Sequence, residues 1–338
     1  MNRCLQLAKS GLGNTYPNPL VGSVIVHKDK IIGEGWHRLA GSPHAEVNAI
    51  QSVSNREWLA DSTLYVNLEP CSHFGRTPPC ADLLISLKIP RVVVGCLDPN
   101  PEVAGRGIHR MRQAGIDVTV GILEDECREA NRRFFTNHIK HRPYVILKWA
   151  ESSDGFIAPL QNNDRKPYYI SGELSRQLVH RWRTQEDAIL VGASTVLADD
   201  PLLDVREWTG NAPVKIVLDR SGRINSGHRV ANSGKTIVFS AAEDGIQSEN
   251  IIFETVDFGP GYPDRVLKRL YELGVCSVIV EGGRITLQSF IDCDTWDEAR
   301  IFRCDTALGN GIDAPGFTAT PAKVLNVGPD RLFIYRNL

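Results

Sequence analysis

The chain has 338 residues, enough for two hydrophobic cores, and its 42% hydrophobic and 23% charged content is that of an ordinary globular protein. A net charge of -2 excludes an electrostatic case for nucleic acid or an anionic membrane surface, so local groups must bind any phosphate on a ligand. No run approaches the roughly 20 apolar residues of a membrane helix, and the N-terminal segment lacks the apolar stretch of a signal peptide.

The eight cysteines do not indicate a disulfide framework, because a chain of this size does not need one. Six of them are scattered through apolar or helical segments and are predicted to be buried free thiols; they are Cys4, Cys96, Cys127, Cys276, Cys293 and Cys304. We therefore expect a reducing, cytoplasmic environment.

The first part of the chain is predicted to alternate between strands and helices. In order these are a helix over 2–10, strands over 21–26 and 31–37, a helix over 44–53, a strand over 63–70, a helix over 81–88, a strand over 91–97, a Gly/Pro-rich loop, a helix through Met111, and a strand over 116–122. This alternation favours an α/β layer sandwich.

A polar helix from Glu124 to His141 ends before Pro143, and we place a domain boundary there, giving domains 1–142 and 143–338. A second alternating set follows without repeating the first. It comprises strands 144–150, 188–193, 213–219, 236–240, 250–256, 276–283 and 298–304, with helices over 171–183 and between Pro263 and Leu273. The chain is predicted to contain two α/β domains.

Four residues of the first domain form a pattern typical of zinc chemistry. PHAEV places His44 and Glu46 two residues apart at the start of a helix, and EPCSHFGRTPPC supplies Cys71 and Cys80. One imidazole and two thiolates make a zinc site whose fourth position is open to water, and zinc lowers the pKa of that water towards ~7. A carboxylate beside the metal can carry the proton to a departing amine, as in zinc-dependent base deaminases.

Each of these residues alone has a simpler explanation, since a single histidine at a helix start is usually a cap and a single cysteine usually lies in a core. The order of HAE, a strand and EPC favours the metal site instead. The spacing departs from the usual P-C-x-x-C, because eight residues separate the two cysteines. This excursion must fold back to the metal, and it adds His73 and Arg76 to the pocket rim.

Five segments resemble the deaminase domain of the bifunctional riboflavin-biosynthesis deaminase/reductase family: TYPNPLVGSVIV, GEGWH, PHAEV, LEPCSHFGRTPPC and DPNPEVAGRG. The resemblance implies a cytidine-deaminase-like α/β/α sandwich in which His44, Cys71 and Cys80 hold one zinc ion and Glu46 carries the proton. The implied substrate is 2,5-diamino-6-(5-phosphoribosylamino)pyrimidin-4-one, whose ring 2-amino group is hydrolysed to a carbonyl with release of ammonia.

Two further residues of this domain acquire roles from the resemblance. Asn18 would contact the pyrimidine, although an asparagine between prolines is equally typical of a turn. Arg76 would bind the substrate phosphate through its guanidinium, although a solvated surface arginine is an equally good interpretation.

The second domain carries a weaker signal of its own. The fingerprint G-x-G-x-x-G is absent after its first strand, and EGG before a helix is an ordinary turn more often than a phosphate site. Segments such as LKWAESSDGFIA, YISGELSRQLVHRWR, DAILVGASTVLADDPLLDVR and VIVEGG nevertheless resemble the reductase domain of the same family in the same order. The resemblance implies a dihydrofolate-reductase-like α/β domain that reduces the ribosyl group to ribityl with hydride from NADPH.

The resemblance also assigns residues to this reaction. Those implied on the substrate side are Pro167, Arg183, Leu203, Arg206 and Glu281. Those implied on the cofactor side are Ala150, Tyr169, Thr195, Asp199, Gly283, Arg284, Ile285, Thr286, Leu287, Gln288 and Ser289. From the residues alone, a solvated helix face for Arg183 and a loop or C-cap role for Asp199 are favoured. The segments SSDG and EGGRITL depart from the family pattern at Ser153 and Arg284.

The alternative hypothesis is a nucleoside or tRNA deaminase with a non-catalytic C-terminal binding or dimerisation domain. The net charge, the cysteine spacing and the whole-chain resemblance argue against it. We expect a small-molecule substrate, no nucleic-acid or membrane partner, and a homo-oligomer that is a dimer or a tetramer.

Overall fold

The structure is a computed structural model that describes residues 1–72, 78–101, 103–160, 168–232, 234–242 and 250–337. The chain divides into two compact units, Met1–His141 and Arg142–Leu338, and each unit has its own main sheet. No helix among these described residues is both long and apolar enough to cross a membrane.

Unit 1 alternates strands and helices along the chain. Its elements are α1 (Asn2–Ala8), β1 (Gly22–His27), β2 (Lys30–Trp36), α2 (Ala45–Gln51), β3 (Thr63–Leu68), α3 (Cys80–Ser86), β4 (Arg91–Cys96), α4 (Arg106–Gln113), β5 (Asp117–Val120), α5 (Glu124–Ala130) and α6 (Arg132–Lys140). The sheet order is β2-β1-β3-β4-β5, with β3, β4 and β5 parallel and β1 antiparallel to both of its neighbours.

Helices cover both faces of this sheet. Apolar side chains of α2, α3 and α4 share one core with β1, β3, β4 and β5, while those of α1, α5 and α6 form smaller clusters with other strand residues. The predicted α/β/α sandwich is therefore confirmed, and it sets the beginnings of α2 and α3 on the same side of the sheet.

Two buried asparagines hold the chain as it enters β1. Asn131 accepts a hydrogen bond from the Leu20 N–H at 2.7 Å and donates to the Leu20 carbonyl at 3.0 Å. Asn67 donates to the same carbonyl at 2.9 Å and accepts from the Gly22 N–H at 2.8 Å. The sequence predicted one helix from Glu124 to His141, but the structure has two helices that meet at Asn131, whose side chain bonds to Leu20.

Unit 2 is built on a larger sheet. Its elements are β6 (Tyr144–Glu151), β7 (Phe156–Ala158), α7 (Glu173–Arg183), β8 (Ala188–Gly192), α8 (Ala193–Asp199), β9 (Val214–Leu218), β10 (Thr236–Ser240), β11 (Ile251–Thr255), α9 (Tyr262–Glu272), β12 (Ser277–Val280), α10 (Arg284–Asp292), β13 (Glu298–Arg303), β14 (Ile312–Asp313), β15 (Lys323–Val327) and β16 (Asp330–Arg336).

The nine strands of this sheet have the order β11-β10-β9-β8-β12-β6-β13-β16-β15. All neighbours up to β13 are parallel, and β16 is antiparallel to β13 and β15. The central strands are apolar on both faces because each face packs under helices, in two separate cores. The carboxyl ends of β6, β8 and β12 therefore lie side by side at one edge of the sheet.

We predict that Asn131→Ala loosens the segment that leads into β1. The variant leaves the buried Leu20 N–H without its acceptor, which costs about 1–3 kcal/mol. Native-state hydrogen exchange followed by mass spectrometry should show faster exchange in the peptide that contains Leu20 and Gly22. Asn326→Ala on the exposed strand β15 is the matched control. If the amides of this peptide exchange as slowly in Asn131→Ala as in the wild type, the hydrogen bonds of Asn131 do not hold the segment.

Candidate active sites

Three metal-binding side chains converge in unit 1. His44 immediately precedes α2, Cys71 follows β3, and Cys80 is the first residue of α3. The His44 Nδ1 atom lies 3.5 Å from the Cys71 Sγ atom and 3.4 Å from the Cys80 Sγ atom. All three ligand atoms lie within 4.8 Å of one another, and the described residues contain no other group of three or more such ligands.

These distances fit a zinc ion. In a tetrahedron with Zn–S of about 2.3 Å and Zn–N of about 2.0 Å, the nitrogen and sulfur atoms are about 3.5 Å apart. An imidazole and two thiols are also the donor set that zinc prefers, and three protein ligands leave one position for water or substrate. The residues that the sequence predicted as ligands are thus brought together with suitable spacing and chemistry.

The electrostatics of the ligands favour a thiolate at Cys71. Hydrogen bonds from Cys80 and His44 lower the pKa of the Cys71 thiol to about 4, against the opposing effect of burial. The backbone N–H of Cys80 donates to the Cys71 Sγ atom at 3.3 Å. The hydrogen bond with Cys71 also raises the pKa of His44. A thiolate is the form of cysteine that binds a metal.

Glu46 lies in the first turn of α2, only 3% exposed. Burial, together with the negative charge of Cys71, raises the pKa of its carboxyl to about 7. Both cysteines lie close enough to Glu46 to act on this pKa, so its carboxyl belongs to the same site as the ligands. A carboxyl with a pKa near neutrality can both accept and release a proton at neutral pH.

Asn18 lies beside this site through His37. The Asn18 Nδ2 atom is 3.1 Å from the His37 Nε2 atom, and the His37 ring packs edge-on against the His44 ring with 5.5 Å between centroids. Burial lowers the pKa of His37. His37 ends the segment GEGWH, and no role for it was predicted from the sequence. Arg76 and His73 lie outside the described residues.

Glu69 is a second residue near the ligands for which no role was predicted from the sequence. It is 4% exposed, and its carboxylate accepts hydrogen bonds from four backbone N–H groups between residues 98 and 108. Glu69 therefore ties the loop that leads into α4 to the chain two residues before Cys71. The signal that the sequence offered was a glutamate directly before P-C.

Unit 2 has a buried ionic cluster at the carboxyl end of β12. Arg183 donates two hydrogen bonds to the Glu281 carboxylate at 2.9 and 2.7 Å, and the Lys148 Nζ atom lies 4.0 Å from the same carboxylate. Burial opposes the charge of Glu281, but Arg183 and Lys148 outweigh it and lower its pKa to about 2. Lys148 in LKWA was missed because it stands in a largely apolar strand.

The other substrate-side residues of unit 2 lie around one loop. Arg183 also donates to the Asp204 carbonyl at 3.0 Å, and Arg206 donates to the Asp204 side chain at 2.6 Å and to the Tyr169 hydroxyl at 2.9 Å. Leu203 is buried in a core. Tyr169, expected on the cofactor side, thus contacts a residue expected on the substrate side. Pro167 lies outside the described residues.

Two glycines after β12 shape the expected cofactor side. A Cβ atom on Gly282 would lie 2.6 Å from the Val191 Cα atom, and Gly283 has a φ of +65°, which side chains rarely adopt. The Cβ position of Gly283 is 3.1 Å from the Thr195 Oγ1 atom. Gly283 caps α10, whose first N–H groups have no partner within the helix, an arrangement that suits a phosphate.

The remaining cofactor-side residues differ in exposure. Arg284 pairs with Asp313 at 2.9 Å and Ile285 is 80% exposed. Thr286 and Leu287 are buried, so a contact between Leu287 and a cofactor would come from its backbone. Gln288 bonds to Gly316, and Ser289 bonds to Tyr262. Asp199 is the last residue of α8. Ala150 is half-buried near the carboxyl end of β6.

Each unit matches a known protein family. Residues 1–96 match the cytidine and deoxycytidylate deaminase zinc-binding region, and residues 143–332 match the RibD C-terminal domain. The second match alone spans more than half of the chain. The first match, to a zinc-binding region, agrees with the convergence of His44, Cys71 and Cys80 in unit 1.

Full-length relatives contain both units. The chain is 39% identical to the riboflavin biosynthesis protein RibD of Aquifex aeolicus, over 99% of this chain and 97% of that protein. It is 36% identical to RibD of Escherichia coli, over 98% and 96%.

Solved structures agree with these relatives. A Thermotoga maritima diaminohydroxyphosphoribosylaminopyrimidine deaminase/5-amino-6-(5-phosphoribosylamino)uracil reductase has a TM-score of 0.89 and 37% identity, over 100% of this chain and 97% of that one. RibD of Acinetobacter baumannii has a TM-score of 0.88 and 33% identity, over 98% and 96%.

Because the relatives extend over both units, a deaminase with a non-catalytic C-terminal domain is not favoured. The predicted zinc and NADPH cofactors are both supported, by the zinc-binding deaminase region and the RibD reductase domain. The chain belongs to the RibD family of riboflavin-biosynthesis enzymes, which combine a zinc-dependent deaminase and an NADPH-dependent reductase in one chain.

Proposed function

We propose that residues 1–142 deaminate 2,5-diamino-6-(5-phosphoribosylamino)pyrimidin-4-one and that residues 143–338 reduce the ribosyl group of the product to ribityl. The observation that carries this proposal is the convergence of His44, Cys71 and Cys80 beside the buried carboxyl of Glu46. A reductase domain in the same chain supports the second step.

In the first reaction, water adds to the ring carbon that bears the 2-amino group, and ammonia leaves as the carbonyl forms. His44, Cys71 and Cys80 hold the zinc ion, which when bound lowers the pKa of a coordinated water towards about 7. Glu46 accepts a proton from the attacking water and delivers it to the departing amino group. Asn18 contacts the pyrimidine, and Arg76 binds the phosphate.

In the second reaction, a hydride adds to the anomeric carbon of the ribosyl group, the bond to the ring oxygen breaks, and that oxygen takes up a proton. NADPH supplies the hydride when bound. The substrate is held by Pro167, Arg183, Leu203, Arg206 and Glu281, with Lys148 beside Glu281. The cofactor is held by Ala150, Tyr169, Thr195, Asp199 and residues Gly283 to Ser289.

We further propose that the enzyme works in the cytoplasm as a homo-oligomer, a dimer or a tetramer. All eight cysteines are free thiols, as a reducing compartment would keep them. Val324 and Leu325 are exposed on β15, which is an edge strand of the larger sheet. An exposed edge strand with apolar side chains suits pairing with a second copy. Light scattering on the purified protein measures the oligomeric state.

The decisive experiment for the overall function is a coupled assay on the purified protein. The phosphoribosyl diaminopyrimidine should yield ammonia, and NADPH oxidation should depend on the deaminated product. Cytidine and tRNA that contains adenosine serve as the competing substrates. Ammonia release from these two alone would reject the proposal, and NADPH oxidation that never occurs would reject its second half.

We predict that Glu46→Gln keeps its zinc but loses deamination. The amide cannot accept the proton, so kcat should fall by roughly 10²- to 10⁴-fold. Metal analysis and ammonia release measure the two effects, and reduction of the deaminated product should be unchanged. Glu57→Gln at an exposed position of unit 1 is the matched control. Loss of zinc from Glu46→Gln would show that Glu46 is a ligand instead of a proton carrier.

We predict that Cys71→Ser lowers both the zinc content and the thermal stability of unit 1. A serine hydroxyl is a poorer zinc ligand than a thiolate, and metal binding to a site of this kind is coupled to folding. Metal analysis and thermal unfolding measure the outcome, with Cys293→Ser in unit 2 as the control. A full complement of tightly bound zinc in Cys71→Ser would remove Cys71 from the ligand set.

We predict that Gly282→Ala weakens NADPH binding while deamination is unchanged. The added methyl group would overlap the backbone at Val191, and overpacking of this kind costs about 1–3 kcal/mol. Because this strain displaces the turn before α10, we expect the Kd for NADPH to rise about tenfold. Quenching of protein fluorescence by NADPH measures the Kd. Gly227→Ala in an exposed turn is the control, and an unchanged Kd in Gly282→Ala would separate this turn from the cofactor site.

A further inference from the structure

His37 is a buried histidine with no assigned role in the two proposed reactions. It follows β2, it is 3% exposed, and its backbone N–H donates to the Val21 carbonyl at 2.9 Å. Its ring lies between the zinc ligand His44 and Asn18. The hydrogen bonds that a buried imidazole can make here depend on which of its two nitrogens carries the hydrogen.

The contact at Nδ1 determines which nitrogen carries the hydrogen. The His37 Nδ1 atom is 3.3 Å from the Pro43 carbonyl oxygen, which can only accept a hydrogen bond, so the hydrogen must be on Nδ1. The side chain of Asn48 holds the same carbonyl at 3.1 Å and also donates to the Trp36 carbonyl at 2.8 Å. The position of the Pro43 oxygen is therefore fixed by a second group.

The hydrogen on Nδ1 determines how Asn18 must be oriented. In a neutral imidazole the other nitrogen, Nε2, is an acceptor, so it requires the amide N–H of Asn18, which lies 3.1 Å away. The opposite amide orientation would place two acceptors face to face. The amide nitrogen is therefore committed to His37, and the amide oxygen is directed elsewhere.

The oxygen of Asn18 remains available for a ligand. Among the residues that the structure describes, no donor bonds to the Asn18 Oδ1 atom, and Asn18 is only partly buried. The Asn18 backbone is held from both sides, because its N–H donates to the Thr15 carbonyl at 2.7 Å and Leu20 is held by the two buried asparagines. The acceptor thus has both a fixed direction and a fixed place.

We propose that His37 is a positioning residue that fixes the Asn18 amide so that its oxygen accepts a hydrogen bond from an N–H group of the pyrimidine. The site then selects rings that present a lactam N–H or an amino group at this position, and it discriminates against rings with an acceptor there. A mismatched acceptor leaves a desolvated oxygen unpaired, which costs about tenfold or more in binding. The identity of the ring rests on the proposed function.

The first test requires no substrate. Long-range ¹H–¹⁵N correlation spectra of the zinc-loaded, ¹⁵N-histidine-labelled protein report which nitrogen of each imidazole is protonated, and the His37→Gln spectrum identifies the His37 signals. We expect a neutral ring with its hydrogen on Nδ1. A hydrogen on Nε2, or on both nitrogens, would overturn the proposal because Asn18 would then have to present its oxygen to His37.

The second test compares two variants of the full-length protein. His37→Leu removes the acceptor and frees the amide, so KM for the pyrimidine should rise about tenfold with kcat and zinc content nearly unchanged. The side-chain oxygen of His37→Gln can accept from Asn18, so this variant should recover most of the wild-type KM. His109→Leu at an exposed position of α4 is the control.

The outcomes separate His37 from the reaction as a whole. An unchanged KM in His37→Leu, or an equal loss in His37→Leu and His37→Gln, would overturn the positioning role. If the wild-type protein does not deaminate the pyrimidine at all, the proposed function fails, and the protonation state of His37 still decides whether the Asn18 oxygen is presented as we infer.

Discussion

The structure of unit 1 depends on bringing one imidazole and two thiols to a common point. The ligands come from three separate places in the chain, so the starts of α2 and α3 and the end of β3 must all meet at one side of the sheet. Two adjacent thiols cannot both ionise easily without a cation, because their negative charges repel. In the absence of a cation, hydrogen bonds from Cys80 and His44 favour a thiolate at Cys71. Zinc binding relieves this conflict, and its free energy thereby adds to that of folding.

Buried polar side chains hold the chain segments near this point through hydrogen bonds to the backbone; we call each such set of bonds a clamp. Glu69 fixes the loop before α4 through four N–H groups, and the asparagine pair fixes the segment that carries Asn18 into β1. Each clamp satisfies backbone groups that have no partner in a sheet or helix, in places where an apolar residue would leave them unpaired. The precision of the site comes from these bonds as well as from the core beneath it.

Much of this structure follows from local patterns in the sequence. Alternating strands and helices predicted two α/β domains, and HAE followed by PC and a second cysteine pointed to the three side chains that the structure brings together, because both features depend on short segments. Other features depend on groups that are far apart in the chain. They are the break at Asn131, the orientation of Asn18 and the pairing of Lys148 with Glu281, two residues that are 133 positions apart. Such tertiary contacts leave no periodic signal, and Lys148 stands in a strand that otherwise reads as apolar.

Two arginines of unit 2, Arg183 and Arg206, differ in how far their charge is available to the phosphate of the proposed substrate in a chain with a net charge of -2. Arg183 is nearly buried, and three of its N–H groups are already committed to Glu281 and to the Asp204 carbonyl. Its charge mainly balances that of Glu281, which it also orients. Arg206 is more exposed and is paired only with Asp204 and the Tyr169 hydroxyl among its described bonds. Arg206 is thus better placed than Arg183 to exchange a surface partner for a phosphate, because moving a surface ion pair costs little while separating a buried one costs several kcal/mol.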